Sequence, residues 1–438
     1  MKRNVDEPLK KWKTDRKRKV LLVRGARQVG KTYSIRELGK SFEYYLEVNF
    51  EEEKKINVFF RDSLNPEIIC NKLTAYFSIP IIPGKTLLFF DEIQACPEAI
   101  GSLRFFYEKM PDLHMTAAGS LLEFAMEEIP SLGVGRISSL FMYPMSFSEF
   151  LMALQEEAIL DLLKEASPQN PLDRPFHEKL VDYFKLYQFI GGMPAVVQKY
   201  IDTRNIGECQ KMLDDILTAL RDDFAKYKKR APVIRLQEVF DSIVFQAGQK
   251  FKYSNIDSHA SSQILKDALS LLVQAGLAYK IYHTSARGLP LGAQINPKKF
   301  KTILFDVGMH QRLLGLDLKQ HLVTNDFEII NRGNLTEVFA GLELISNSQP
   351  TTREGLYYWQ REARGSSAAV DYVIQKGEEV IPIEVKAGTK GQMQSMFIFL
   401  KNRNLKKGIR LSLENFSEYG DIRVIPLYAV RNLFRDTI

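Results

Sequence analysis

Eight consecutive residues, Gly25-Ala26-Arg27-Gln28-Val29-Gly30-Lys31-Thr32, carry the spacing GxxxxGK[ST]. Glycines at that spacing let backbone N–H groups turn inward around an anion. A lysine adds a fixed positive charge and a threonine hydroxyl offers a hard oxygen to a cation. In a nucleoside triphosphate site Lys31 would reach the β- and γ-phosphates, and Thr32 would ligate Mg2+. Such a loop works only between a strand and a helix. Lys19-Val20-Leu21-Leu22-Val23 reads as a buried strand, and Lys31–Gly39 reads as the start of a helix.

A loop of this kind needs an acidic partner at a neighbouring strand end. Leu87-Leu88-Phe89-Phe90-Asp91-Glu92 supplies one: four apolar residues of a central strand, then two carboxylates at its carboxyl end, where α/β folds bind ligands. Asp91 would hold the Mg2+ from just outside its directly bound ligands, and Glu92 would orient and deprotonate an attacking water. Ser120, after the strand His114–Gly119, could touch the γ-phosphate or the water, or simply cap a helix. Gly135-Arg136 precedes another strand, and Arg136 could stabilise transferred charge or be an ordinary surface arginine. Asn71-Lys72-Leu73-Thr74 fails the NKxD guanine pattern at its last place, which favours ATP over GTP.

A second constellation lies near the C-terminus. Asp371-Tyr372-Val373-Ile374-Gln375 and Val380-Ile381-Pro382-Ile383-Glu384-Val385-Lys386 bracket a turn, so a hairpin is expected. Side chains alternate along a strand, which puts Glu384 and Lys386 on one face. Glu337, on the preceding helix, could complete the set. Three carboxylates and a lysine suit metal-dependent phosphodiester hydrolysis, with a further Mg2+ or Mn2+ held by the carboxylates. Pro382 implies a sheet edge or a strand start. Three readings stay open: an active nuclease, a nuclease-like fold used for binding, and an ion-paired hairpin.

The elements that must position these residues fall into stretches of different texture. The chain has 438 residues, 45% hydrophobic and 26% charged, ordinary globular usage that excludes disordered and fibrous classes. Residues 1–18 form a basic arm. Residues 19–150 alternate β-rich runs with helical patterns, the signature of a parallel sheet with crossover helices. Residues 151–230 turn helical. Residues 231–314 read as three helices and a hairpin, the order of a winged helix, and 328–438 as a mixed α/β domain. Cys70, Cys96 and Cys209 are too scattered for a disulfide framework. The longest apolar runs stop well short of a membrane span, so a cytoplasmic protein without a membrane contact is expected.

The net charge of +7 is concentrated at the front: residues 1–31 carry +9, and the remaining 407 carry −2. A solvated positive arm and a nucleic-acid contact both fit that excess. Residues 231–301 carry +5, which suits phosphate. The polar face of the helix Ser261–Ala275, with Gln263, Lys266, Asp267, Ser270 and Gln274, has one cation only. Non-specific DNA contact and a structural role are both open, and sequence-specific reading is not expected.

Taken in order, the motifs resemble a family of uncharacterised prokaryotic ATPases that join an AAA-type ATPase domain to a C-terminal domain of unknown function, number 4143. The matching pieces are Arg24–Thr32, Phe90-Asp91-Glu92-Ile93-Gln94, Ala118-Gly119-Ser120, Gly135-Arg136, Tyr143-Pro144-Met145-Ser146-Phe147, Gly191-Gly192-Met193-Pro194, Phe305-Asp306-Val307-Gly308 and Ile383-Glu384-Val385-Lys386. They span nearly all of residues 19–438. The resemblance implies a multi-domain α/β protein: a P-loop parallel-sheet ATPase domain, a helical region with a winged helix, and a restriction-endonuclease-like domain similar to the PD-(D/E)xK superfamily. Where relatives tend to show Glu-Val-Asp, this chain has Ala369-Val370-Asp371, one carboxylate fewer. The implied activity is Mg-dependent ATP hydrolysis coupled to DNA or to another protein. An ATP-gated nuclease and a nucleotide-switched binding protein with little turnover are the alternatives.

Overall fold

Five short strands build the first sheet, β1 (Val20–Arg24), β2 (Tyr44–Asn49), β3 (Thr86–Asp91), β4 (His114–Ala118) and β5 (Ile137–Phe141); the inner three are almost wholly buried, and the edge strands β2 and β5 are half-buried. Their order is β2-β3-β4-β1-β5, and every neighbouring pair is parallel. Parallel strands are covered on both faces, and every residue of β3 and β4 is buried. The computed structural model describes residues 1–120, 122–127, 135–227, 230–315, 334–352, 355–362, 368–388 and 392–434. It divides into two units, Met1–Tyr143 with two short later segments, and most of the chain from Pro144 onward.

In the first unit Phe90 anchors the end of β3. Its ring meets Phe50, Phe60 and Phe106 edge-on at centroid distances of 5.3, 5.4 and 5.9 Å. The next residue, Asp91, is thereby fixed at the strand's carboxyl end.

The basic arm is a docked helix, Asp6–Thr14, whose apolar side carries the buried Leu9 and Trp12. The Trp12 indole Nε1 donates to the Lys19 carbonyl at 2.7 Å, and its ring meets His114 edge-on at 5.7 Å. Arg3, also buried, donates to the carbonyls of Val29 and Tyr143 at 2.7 and 2.8 Å. The lysines of this segment lie on a helix whose other side is apolar and docked, which charge density alone does not reveal.

The second unit holds an eight-stranded mixed sheet, ordered β12-β13-β11-β10-β9-β8-β6-β7. The strands are β6 (Ala278–Thr284), β7 (Ile295–Leu304), β8 (Leu356–Gln360), β9 (Ala369–Lys376), β10 (Glu379–Val385), β11 (Gly408–Ser412), β12 (Ser417–Tyr419) and β13 (Ile422–Pro426). The hairpin β6–β7, expected as the wing of a separate domain, does not stand alone. β6 pairs in parallel with β8, so the hairpin extends the C-terminal sheet. Residues 328–333, where the last domain is expected to begin, lie outside the described residues.

Pro382 is reconciled with a central strand by the limits of its pairing. It stands opposite Val373 of β9, whereas pairing with β11 begins one residue later, at Ile383. At the proline one side of β10 is still free.

Three sequence motifs meet in one knot of this unit. Met145 N donates to Gly192 O at 2.6 Å, and the Tyr187 hydroxyl donates to Met145 O. Asp306 accepts from Gly192 N at 2.7 Å and caps its own helix by accepting from Met309 N at 2.9 Å. A Cβ on Gly192 would lie 2.1 Å from Met145 O, so no larger residue fits there without backbone movement.

Candidate nucleotide-binding site

β1 ends at Arg24 and the helix Lys31–Gly39 begins seven residues on, with the glycine loop between them. Ala26 and Val29 are buried and pin the loop, and Gly30 takes φ 97° at the helix start, a left-handed conformation that glycine adopts without cost. A Cβ on Gly25 would lie 2.2 Å from Met142 O, so the loop also needs a glycine where it passes β5. The helix N-terminus faces the loop with unpaired N–H groups and its positive dipole end.

Lys31 is buried and donates to the loop's own carbonyls, Gly25 O at 2.9 Å and Ala26 O at 2.8 Å. Burial pushes its ammonium down to about 8, partly opposed by the nearby Glu92 and Asp91 carboxylates. The lysine is held by neutral oxygens where an anion would hold it better. The Thr32 hydroxyl donates to Asp91 Oδ2 at 2.9 Å, joining residues 59 apart in sequence. Burial raises Asp91 to about 6, against the hydrogen bond from Thr32. A hydroxyl and a carboxylate oxygen side by side are donors that Mg2+ accepts, and a dication there would keep Asp91 ionised.

Glu92 sits at φ 46° and ψ 42°, a left-handed conformation that is uncommon for a non-glycine residue and marks the sharp end of the strand. Gln94 Nε2 donates to Glu92 Oε2 at 2.6 Å, and the buried Ser120 hydroxyl lies 3.5 Å from the same oxygen. Lys31, Thr32, Asp91, Glu92 and Ser120 are thus drawn to one end of the sheet. Gln94, part of the acidic motif in the sequence, gains its role as a brace for Glu92 only from the fold.

Arg136 is placed elsewhere. It precedes β5, whose first residue Ile137 is in register with Val20 at the start of parallel β1. The phosphate loop follows the other end of β1, about 15 Å away at strand rise. The Arg136 guanidinium is paired with Glu108. Sequence proximity to a strand suggested a catalytic arginine, but the strand's direction puts it at the wrong end of this chain's own sheet.

The C-terminal constellation converges. β9 and β10 are antiparallel with Ile383 opposite Tyr372, and continuing that register by one residue places Glu384 opposite Asp371. Asp371 Oδ2 accepts from Val385 N at 2.8 Å, and Lys386 donates to Glu384 Oε1 at 2.7 Å. Glu384 is 7% exposed, and its Oε2 has no hydrogen-bond partner. Burial and the facing Asp371 raise its pKa. Glu337 comes from the helix Leu335–Ser346, and burial raises its pKa too.

A fifth residue, Lys301 of β7, enters this cluster unforeseen. It is 6% exposed, and its Nζ lies 2.7 Å from Glu337 Oε1 and 3.9 Å from Asp371 Oδ1. The only hint in sequence is a lysine set among Phe300, Ile303 and Leu304. Among the described residues no group of three or more His, Cys, Asp or Glu is arranged to hold a metal ion. Lys301 and Lys386 already meet the carboxylates, so the cluster as it stands does not fit a divalent cation.

Three family models match the chain in series. One described as an AAA domain covers residues 17–151, and domains of unknown function cover 181–320 (DUF8612) and 332–430 (DUF4143). The second runs across the domain boundary expected at 230–231. No curated protein matches. Solved structures that are similar include a Walker-type ATPase of Pyrococcus abyssi, at 16% identity and TM-score 0.44, covering 71% of this chain and 95% of that one. The Aeropyrum pernix ORC1 protein in complex with DNA aligns at 12% identity and TM-score 0.30, over 74% and 95% of the two chains. A signal-transduction ATPase with a tetratricopeptide-repeat sensor from Pyrococcus horikoshii aligns at 11% and 0.27, over 78% and 45%. Among the described residues no helix is long and apolar enough to cross a membrane.

Proposed function

We propose that this chain is a Mg-dependent ATPase whose nucleotide state governs binding of DNA or of a protein partner by its C-terminal half. The AAA domain over residues 17–151 supports ATP binding. The observation that carries the reading is the Thr32–Asp91 contact at 2.9 Å beside the buried Lys31. The backbone of Gly25–Thr32 would surround the phosphates, and Lys31 would leave its carbonyl partners for the phosphate oxygens. Thr32 and Asp91 would hold Mg2+, which supplies charge neutralisation at the transferring phosphoryl group. Glu92, braced by Gln94, would take the proton of the attacking water, with Ser120 beside it.

The test separates binding from turnover. Glu92→Gln keeps the shape and leaves Asp91 and Thr32 intact. Nucleotide binding should persist while hydrolysis falls at least ~100-fold, the lower range of general base catalysis. Hydrolysis at the wild-type rate would move the base elsewhere.

A second reading, an ATP-gated nuclease, draws on the facing of Asp371 and Glu384 across β9 and β10. Nicking of supercoiled DNA with Mg2+ or Mn2+ that Lys386→Ala abolishes would support it, and no nicking by the wild type would remove it. A third, a nucleotide switch with little turnover, is favoured by the Arg136–Glu108 pair, which leaves that arginine away from the phosphates.

A further inference from the structure

Lys301 is placed as bound cations are placed. Its ammonium is enclosed by Glu337 Oε1 at 2.7 Å, Asp371 Oδ1 at 3.9 Å and the ring of Tyr358, whose centroid is 5.3 Å away. Aromatic faces attract cations as carboxylates do, so the enclosure is built for positive charge on three sides. Burial would lower an isolated lysine, yet Glu337 and Asp371 outweigh it and raise the pKa, so the group stays charged. Tyr372 steadies the same corner by donating to Glu337 O at 2.7 Å.

We infer that Lys301 is the resident cation of the C-terminal cluster, standing where a divalent metal would sit between Glu337 and Asp371, and that this residue decides the cluster's metal status. Formal charge supports the assignment. Glu337, Asp371 and Glu384 against Lys301 and Lys386 leave a net −1, and a dication added to that set would reverse its sign. Without Lys301 the net is −2, which a dication neutralises. The unpartnered Glu384 Oε2, buried beside Asp371, is the oxygen such an ion would gain. The nuclease-like arrangement is therefore closed by a side chain from β7, the hairpin strand at the sheet's edge.

The inference rests on the carboxylate cluster and not on the nucleotide reading. The test is Mn2+ binding followed by electron paramagnetic resonance on the full chain without nucleotide. Wild type should show no Mn2+ that Asp371→Asn removes. Lys301→Met, which keeps the stem and removes the charge, should bind Mn2+ at least about tenfold more tightly than wild type, because a buried like charge a few ångströms away has been deleted. That gain should vanish in the double variant Lys301→Met/Asp371→Asn. Wild-type binding that Asp371→Asn abolishes would overturn the inference and leave the nuclease reading standing. A folded Lys301→Met that gains no Mn2+ would overturn it as well. If Lys301→Met fails to fold, the wild-type and Asp371→Asn titrations still decide.

Discussion

Nucleotide affinity should fall with rising pH through the titration of Lys31. In the free protein burial holds its ammonium at about 8, and its hydrogen-bond acceptors among the described residues are two backbone carbonyls. Bound phosphates would favour the charged form, raising that pKa in the complex. Affinity therefore scales with the charged fraction in the free protein. With a pKa of about 8 the charged fraction falls from about nine-tenths at pH 7 to about one-tenth at pH 9, and Kd weakens about tenfold, or ~1.4 kcal/mol. ATP's own phosphates are already ionised above neutrality, and Asp91, at about 6, titrates below the window. Calorimetric titrations with Mg-ATP between pH 7 and 9, in buffers of different ionisation enthalpy, read both affinity and proton uptake. About half a proton should be taken up per nucleotide at pH 8. Stability of the free protein should move the other way. A lysine lowered from 10.5 binds fewer protons folded than unfolded, so this group adds stability as pH rises from about 8 toward 10.5. That opposition separates loss of the Lys31 charge from general alkaline unfolding. A constant Kd from pH 7 to 9 with no proton uptake would refute the placement of Lys31.

Two further outcomes test the fold around the sites. Gly192→Ala places a methyl group 2.1 Å from Met145 O, a backbone atom in a knot of hydrogen bonds, and should cost ~2 kcal/mol or more by overpacking, read as a lowered urea midpoint; an unchanged midpoint would mean the knot yields freely. Trp12→Ala removes a buried indole and its bond to Lys19 O and should cost about 3 kcal/mol in docking of the N-terminal helix, so trypsin should cut at Lys10, Lys11 and Lys13 far faster; wild-type cleavage rates would show that Trp12 does not secure it.

What the sequence made legible was local. Val20–Val23 and Leu87–Phe90 are continuous apolar runs, and both are strands buried on two faces, because a parallel sheet between helices demands that composition. The loop and acidic pair were readable because their chemistry depends on spacing. The eight-stranded sheet was not, because β6 meets β8 across more than seventy residues and no local pattern encodes that pairing. β11 is hard to read in the sequence because Arg410 and Ser412 interrupt its apolar character, although both are buried. Arg136 could have been placed from sequence: a residue before a parallel strand lies at the opposite end from a loop after one. Lys301 could not, because a lysine in an apolar strand signals burial without naming its partner.

The two buried lysines show how one residue type serves opposite ends. Lys31 and Lys301 are 7% and 6% exposed, so desolvation penalises both ammoniums alike. Lys31 receives two neutral carbonyls and is lowered; Lys301 receives Glu337, Asp371 and the face of Tyr358 and is raised. A buried charge that its own fold leaves under-compensated gains from an incoming anion, and the phosphate loop keeps Lys31 in that state beside a helix N-terminus. A buried charge already compensated gains nothing from an anion, and it denies its carboxylates to an incoming cation. The first site is therefore poised for a ligand, and the second has its counter-ion built into the chain.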